Sequence, residues 1–418
     1  MTCFEKIQVV SQQESAISAL DGWLFTDFAG RDKLTQDLLQ LPPDGMTTRR
    51  WIYLVHPTGE PLKILHAIEP HALDSLPGEK KIFYSSQQEL KSALAQYKGK
   101  TLALLWDSNL PVISTVDGGF VSLLQQEEIK ITSAARLLQR YKGILSPASI
   151  RSQERAASLL YTIIRDTWNF ICQHYKSKEP LNERAVQIFI LEQFIKYKLT
   201  SNHSPVVAFG PHSGDPHYEV PEDGGKYAEE GDIIQLDIWA KERLADDGQG
   251  GFSATVPAYG DISWVGVFSE TIPEEAEKRF SILCKARDSV EQAIGQATAE
   301  GKRLTGAELD MQVRSIIQDA GYGHYIKHRT GHGIDSEVHG SGVNLDGSEF
   351  PDYRQILPGS SFSVEPGIYG EDFGMRTEID IYIDETGMPI ISGKKFQKEK
   401  LGKHSIPQQK IMTTKDEL

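Results

Sequence analysis

Ile233-Ile-Gln-Leu-Asp237-Ile-Trp239 is an apolar run rich in β-branched residues with a single carboxylate, Asp237, set into it. Such a run reads as a buried strand, and a buried carboxylate costs several kcal/mol unless something neutralises it. A salt bridge, a strand-end cap or a metal ion can do so. The same pattern recurs downstream. Asp261 precedes Ile262-Ser-Trp-Val265, and Glu378 precedes Ile379-Asp-Ile-Tyr382. Taken singly, each of these carboxylates reads as a cap or a salt-bridge member.

Two further residues stand in special backbone settings. Glu365 lies in Phe362-Ser-Val-Glu365-Pro-Gly-Ile-Tyr369, where a strand meets a Pro-Gly turn that would fix the carboxylate rigidly. His332 lies in Arg329-Thr-Gly-His332-Gly-Ile334, where flanking glycines let backbone or substrate approach closely. Together Asp237, Asp261, His332, Glu365 and Glu378 supply hard oxygen ligands and a single nitrogen. That set suffices for two divalent cations sharing bridging carboxylates, with manganese, cobalt, iron and zinc all admissible. Two such cations close together lower the pKa of a water between them, which is hydrolytic chemistry. His328, His339, His217 and Arg376 stand at spacings that could line the same cleft, although each alone reads as a surface group.

The whole chain sets bounds on this reading. Its 418 residues exceed one typical domain, and 39% hydrophobic with 24% charged residues is an ordinary globular composition. Forty-four Lys plus Arg against 58 Asp plus Glu give a net charge of -14, which argues against nucleic acid and anionic membrane surfaces as partners. Cys3, Cys172 and Cys284 are far apart and lack CxxC spacing, so neither a disulfide framework nor a thiolate zinc site is expected. A reducing, cytoplasmic setting follows, since no signal-peptide core or bilayer-length span is visible. Lys415-Asp-Glu-Leu418 spells a lumenal retention signal, but without a leader it reads as a coincidental polar end.

Up to about Leu145, β-type runs such as Arg50–Val55 and Leu102–Trp106 mix with helical ones such as Ala134–Tyr141, which predicts a small α/β domain. Ser146-Pro-Ala148 interrupts the pattern, placing the domains at 1–147 and 148–418. Helices are then expected over Ile150–Tyr175 and Glu183–Lys198, and strands over Val206–Phe209, Ile233–Trp239 and Ile262–Phe268. A second helical pair, Pro273–Ala299 and Gly306–Ala320, precedes strands at Ser361–Val364 and Glu378–Ile383. The order helices, strands, helices, strands hints at two similar halves, without residue-level repetition. The fold class is mixed α/β.

In order, these motifs resemble the pita-bread metallopeptidases, in the branch of aminopeptidase P and prolidase. The resemblance is close over about 150–395. It is looser at Leu20-Asp-Gly-Trp-Leu-Phe-Thr-Asp-Phe-Ala-Gly30, which is similar to that branch's N-terminal domain. It implies a C-terminal pita-bread catalytic domain, an N-terminal creatinase-like domain, and cleavage of the bond before proline by a hydroxide held between two metals, manganese foremost. It implies that Asp237 binds one metal, that Asp261 and Glu378 bridge both, and that His332 and Glu365 complete the other. Glu365 would shuttle the proton, His217, His328 and His339 would hold substrate and the developing oxyanion, and Arg376 would orient the carboxylates. Peptides are the expected partners, and a homodimer is expected by analogy. Twenty-three residues separate Asp237 from Asp261, a wider gap than the pattern usually has, filled by Ala240–Gly260 with Asp246 and Asp247. Asp261 is preferred because a strand follows it. A non-catalytic binding protein on this fold, an aminopeptidase of other specificity, and a metal-free relative such as creatinase are the competing readings.

Overall fold

The computed structural model describes residues 2–42, 47–243, 256–394 and 410–416. They form two compact units, residues 1–141 and 142–418. The first unit is a six-stranded sheet. Its strands are β1 (Gly22–Asp27), β2 (Trp51–Val55), β3 (Leu62–His66), β4 (Lys81–Tyr84), β5 (Thr101–Leu104) and β6 (Lys130–Ser133), in the order β4-β3-β2-β1-β5-β6. Every residue of β1 and β2 is buried, and the helices Cys3–Ser18 and Lys33–Leu39 pack against these central strands. Trp23, Phe25, Tyr53 and Leu104 anchor the core.

The second unit opens with the 31-residue helix Pro147–Ser177. Ser146 accepts the Ser149 N–H, and Pro147 takes the first turn, so the tripeptide that reads as a break is the helix start. Lys142–Ser146 belong to this unit, where the Leu145 N–H donates to the Gly359 carbonyl at 2.8 Å. A second helix, Glu183–Lys196, completes the first helical pair.

After it come β7 (Leu199–Thr200), β8 (Val206–Phe209), β9 (Ile233–Glu242) and β10 (Gly260–Val267), with β10, β8 and β7 all antiparallel to β9. The helices Glu274–Ala299 and Gly306–Asp319 pack on each other and lead to β11 (Ser361–Val364), β12 (Gly367–Tyr369), β13 (Gly374–Arg376), β14 (Ile379–Ile383) and β15 (Pro389–Ile391). Here β11, β14 and β15 form one antiparallel sheet, while β12 pairs with β13. The element order thus runs twice through a helical pair followed by strands.

The long helix lies on β9 and β10, and glycine sets how closely. A Cβ on Gly266 would fall 2.0 Å from the Trp168 ring. Residues 410–416 run along the same strand: the Met412 N–H donates to the Val265 carbonyl at 3.1 Å and the Val267 N–H to the Met412 carbonyl at 2.8 Å. Lys415 pairs with Glu270 at 3.0 Å, while Glu417 and Leu418 lie outside the described residues. So do residues 244–255, including Asp246 and Asp247 of the wide gap. None of the described helices is long and apolar enough to cross a membrane.

Because Trp168 cannot retreat from a fully buried position, Gly266→Ala is expected to cost about 1–3 kcal/mol through overpacking. Urea unfolding would show this as a lowered midpoint, and an unchanged midpoint would contradict the packing argument.

Candidate metal centre

Strand register assembles the first part of the site. Asp237 of β9 stands opposite Ser263 of β10, and Asp261 lies two residues before Ser263. Residues two apart on a strand share a face, as do cross-strand partners, so all three side chains project from one side of the hairpin. The hairpin therefore delivers two carboxylates and a hydroxyl to one floor.

The remaining groups come from the second strand set. Glu365 joins β11 to β12, and Arg376 and Glu378 lie at the end of β13 and just before β14. The His332 segment runs against β11 as an irregular strand. The Ile334 N–H donates to Ser361 O at 2.9 Å, Ser363 N–H to His332 O at 2.9 Å, and Glu365 N–H to Thr330 O at 2.7 Å. A Cβ on Gly331 would sit 2.0 Å from the Ser363 carbonyl, so the glycine beside His332 admits backbone.

Nε2 of His332 then lies 3.6 Å from Asp261 Oδ2 and 3.4 Å from Glu365 Oε1. Asp261, His332 and Glu378 each present a ligand atom within 4.8 Å of the others, all three side chains buried. Arg376 is buried among them: it pairs with Asp237, donates Nε to Ser263 Oγ at 2.9 Å, and sits 3.8 Å from Glu365 and 3.9 Å from Glu378. Ser263 Oγ is in turn 3.0 Å from Asp237 Oδ1 and 2.7 Å from Glu378 Oε2. The hydroxyl has one proton, so it accepts from Arg376 and donates to one of these two carboxylate oxygens at a time while lying between both.

The charges do not balance. Asp237, Asp261, Glu365 and Glu378 share one buried guanidinium, Arg376, with the partly exposed Arg329 beyond it, and Asp380, also buried, accepts the Asp261 N–H at 2.8 Å. Burial and mutual repulsion push the carboxyls of Asp261, Glu378 and Asp380 well above the usual range. Burial likewise lifts Glu365 to about 7, although Arg376 opposes it. Burial, with His339 and Arg329 nearby, holds His332 neutral, the form in which imidazole ligates. A cluster of this composition needs protons or cations to exist, and its hard oxygens with one neutral nitrogen fit divalent cations.

The floor lies in a cavity of about 440 Å³ whose lining contains all nine residues singled out from the sequence: Asp237, Asp261, His332, Glu365, Glu378, His217, His328, His339 and Arg376. His217 and His339 are exposed to the cleft, and the His339 ring meets His332 edge-on, centroids 4.3 Å apart. His328 is engaged inward, with Nδ1 2.6 Å from the Arg329 carbonyl and Nε2 2.7 Å from the Tyr369 hydroxyl. The carbonyl requires a proton on Nδ1, so Nε2 accepts from Tyr369. Burial and the nearby Arg376 lower His328 to about 3, which keeps it neutral.

Sequence reading passed over Ser263, Tyr369, Asp380 and the helix pair Asp310 and Arg314. Asp310 is fully buried. Its Oδ1 accepts the Thr330 N–H at 2.9 Å and the Thr330 hydroxyl at 2.6 Å, while Arg314 pairs with Oδ2 and donates to the His328 carbonyl at 2.9 Å. The segment between His328 and His332 is therefore pinned from the helix beneath it.

With this geometry in view, the relatives are informative. The model of metallopeptidase family M24 matches residues 155–385, more than half the chain, and the chain belongs to that family. The matched residues lie in the second unit, which has the family's pita-bread fold. The putative dipeptidase YkvY of Bacillus subtilis is 27% identical over 65% of this chain and 68% of its own length. The probable dipeptidase PepE of Mycobacterium tuberculosis is 30% identical over 44% of this chain, and the chain spans only 42% of that relative. Among solved structures, recombinant prolidase from Thermococcus sibiricus superposes with a TM-score of 0.60 at 20% identity over 99% of both chains. That likeness carries the fold, N-terminal unit included.

Removing the shared hydroxyl, as in Ser263→Ala, is expected to weaken divalent-metal affinity about 10- to 100-fold while leaving the fold intact. Manganese titration of the metal-stripped variant followed by calorimetry reads this directly, and wild-type affinity would remove Ser263 from the centre.

Proposed function

We propose that this protein is a dinuclear metal-dependent peptidase of the Xaa-Pro type, hydrolysing the bond that precedes proline. The observation that carries the proposal is the convergence of Asp237, Asp261, His332, Glu365 and Glu378, from separate strands and turns, on the floor of one cavity. A non-catalytic binding protein has no need of the full set, and the metal-free reading leaves the negative charge unbalanced.

In this proposal Asp237, Asp261, His332, Glu365 and Glu378 would hold the two cations, Asp261, His332 and Glu378 presenting ligand atoms within 4.8 Å of one another. Manganese is the expected metal, with cobalt, zinc and iron also suited to the donors. Two bound divalent cations would supply Lewis acidity toward a water and the scissile carbonyl. The chain's own groups do the rest. Glu365, fixed by the turn at Pro366 and by Ser363 Oγ at 3.2 Å, accepts the proton of the attacking water and returns it to the leaving nitrogen. Arg376 and Ser263 hold Asp237 and Glu378 in place. His217 and His339 face the substrate and the developing oxyanion from the cleft, whereas His328, its Nδ1 proton given to the Arg329 carbonyl and its Nε2 accepting from Tyr369, holds the cavity wall in place.

Proline specificity is supported by the N-terminal unit and by the prolidase likeness. The proposed setting is cytoplasmic, with peptide partners and a homodimer.

Metal-stripped protein reconstituted with manganese, cobalt or zinc is expected to cleave Gly-Pro or a longer Xaa-Pro peptide, and Asp261→Ala is expected to lower kcat/KM at least about 1,000-fold. Cleavage of non-proline peptides alone would overturn the specificity, and cleavage unaffected by metal or by Asp261→Ala would overturn the mechanism.

A further inference from the structure

Along β9 the apolar residues Ile234, Leu236, Ile238 and Ala240 belong to the core beneath the long helix, so the alternate residues Gln235, Asp237 and Trp239 face the other way. Register extends that second face. Val206 of β8 stands opposite Asp237, and Asp261 of β10 stands opposite Trp239. An indole thus shares one face of the sheet with two of the carboxylates of the metal centre and is a neighbour of both. It lies outside the three large apolar cores. Trp239 packs instead on a small cluster of Tyr259, Ile334 and Val338, stays half-buried, and lines the cavity. Its Nε1–H donates to Asn202 Oδ1 at 2.8 Å, which fixes the plane of the ring.

Three other apolar side chains line the cavity, Val206, Pro216 and Val338. Val206 is diagonal to Trp239 across β8 and β9, within reach of an aromatic side chain, and Val338 packs on the indole. Beyond the metal centre the charged lining groups are Arg329 and Glu349, both on loops, and neither comes from β8 or β9. Trp239, Val206 and Val338 therefore form an apolar, uncharged wall beside the carboxylate floor. An apolar ligand group that covers such a wall gains about fourfold in affinity for each methylene removed from water, whereas a charged group would lose hydration without a partner. Position decides which part of a peptide meets it. Glu365, the proton donor to the leaving nitrogen in the reading above, comes from the turn between β11 and β12, whereas the wall rises from β8 and β9 beside Asp237 and Asp261. The wall is thereby assigned to the acyl side of the scissile bond.

We propose that Trp239, with Val206 and Val338, receives the side chain of the residue that carries the scissile carbonyl, which makes the enzyme selective for substrates beginning with a large apolar residue. Leucine and phenylalanine are favoured there over glycine, lysine and glutamate. This rests on the peptidase reading and adds the chemistry of the residue before the cleaved bond. Trp239 is a specificity-determining residue.

The test compares Leu-Pro, Phe-Pro, Gly-Pro and Lys-Pro as substrates of the manganese-reconstituted wild type, Trp239→Ala and Trp239→Phe. Calorimetry of leucine hydroxamate against glycine hydroxamate, both anchored by the metal, reads the same wall without turnover. Wild type is expected to favour leucine over glycine about tenfold or more in kcat/KM and in Kd, with Lys-Pro no better than Gly-Pro. In Trp239→Ala the leucine-to-glycine ratio falls to within about threefold, and Trp239→Phe, which keeps an apolar ring, retains most of it. A merely structural loss would lower both members of each pair and leave the ratio standing, so an unchanged ratio in Trp239→Ala would overturn the proposal. Equal handling of leucine and glycine by wild type would do the same. A ratio in Ala-Leu over Ala-Gly that collapses in Trp239→Ala, with the Leu-Pro to Gly-Pro ratio unmoved, would overturn the assignment to the acyl side. Absence of all cleavage would count against the peptidase reading, and the hydroxamate ratio would then decide the role of Trp239.

Discussion

Four carboxylates gathered around one buried guanidinium is the constraint on which this structure turns. Left alone, such a group repels itself in a medium that screens poorly, and each uncompensated buried charge costs several kcal/mol. The fold spends its most specific features on holding it. The β9/β10 register puts Asp237, Asp261 and Ser263 on one face, and a one-residue slip would turn all three away. Gly331 lets the His332 segment lie against β11, and Asp310 with Arg314 fixes that segment from below. Cations in the cluster would therefore contribute to folding as well as to chemistry.

Around this centre the cavity changes character with depth. Its floor is anionic and rigid, built from strand ends and one tight turn. Its other lining residues are of mixed charge, with Arg329, His217, His339 and Glu349 all on loops. Site residues on strands keep their positions, whereas those on loops can tune which ligand enters.

Much of this was legible in the sequence because buried carboxylates announce themselves. Asp237, Glu365 and Glu378 interrupt apolar strands, and a strand with one charge in it is physically unusual enough to notice. The same logic covers Asp380, two residues after Glu378 in an equally apolar strand, which went unweighed beside its neighbour. Ser263 left no such signal, because a serine in a strand costs little, and only the register shows which carboxylates it serves. Asp310 and Arg314 read as an ordinary helix-surface pair four residues apart, and their hold on the His328 to His332 segment exists only in the tertiary structure. The helix start at Ser146 and Pro147 read as a break because both residues also favour loops.

The central claim is that the carboxylate cluster exists to hold metal. Elemental analysis of folded protein, stripped of metal, equilibrated with manganese and passed through a desalting column, tests it most directly. The account predicts close to two manganese ions retained per chain, falling in a Glu378→Ala variant that still folds. A folded wild-type chain that retains none, and whose thermal stability does not respond to manganese, cobalt or zinc, would contradict it.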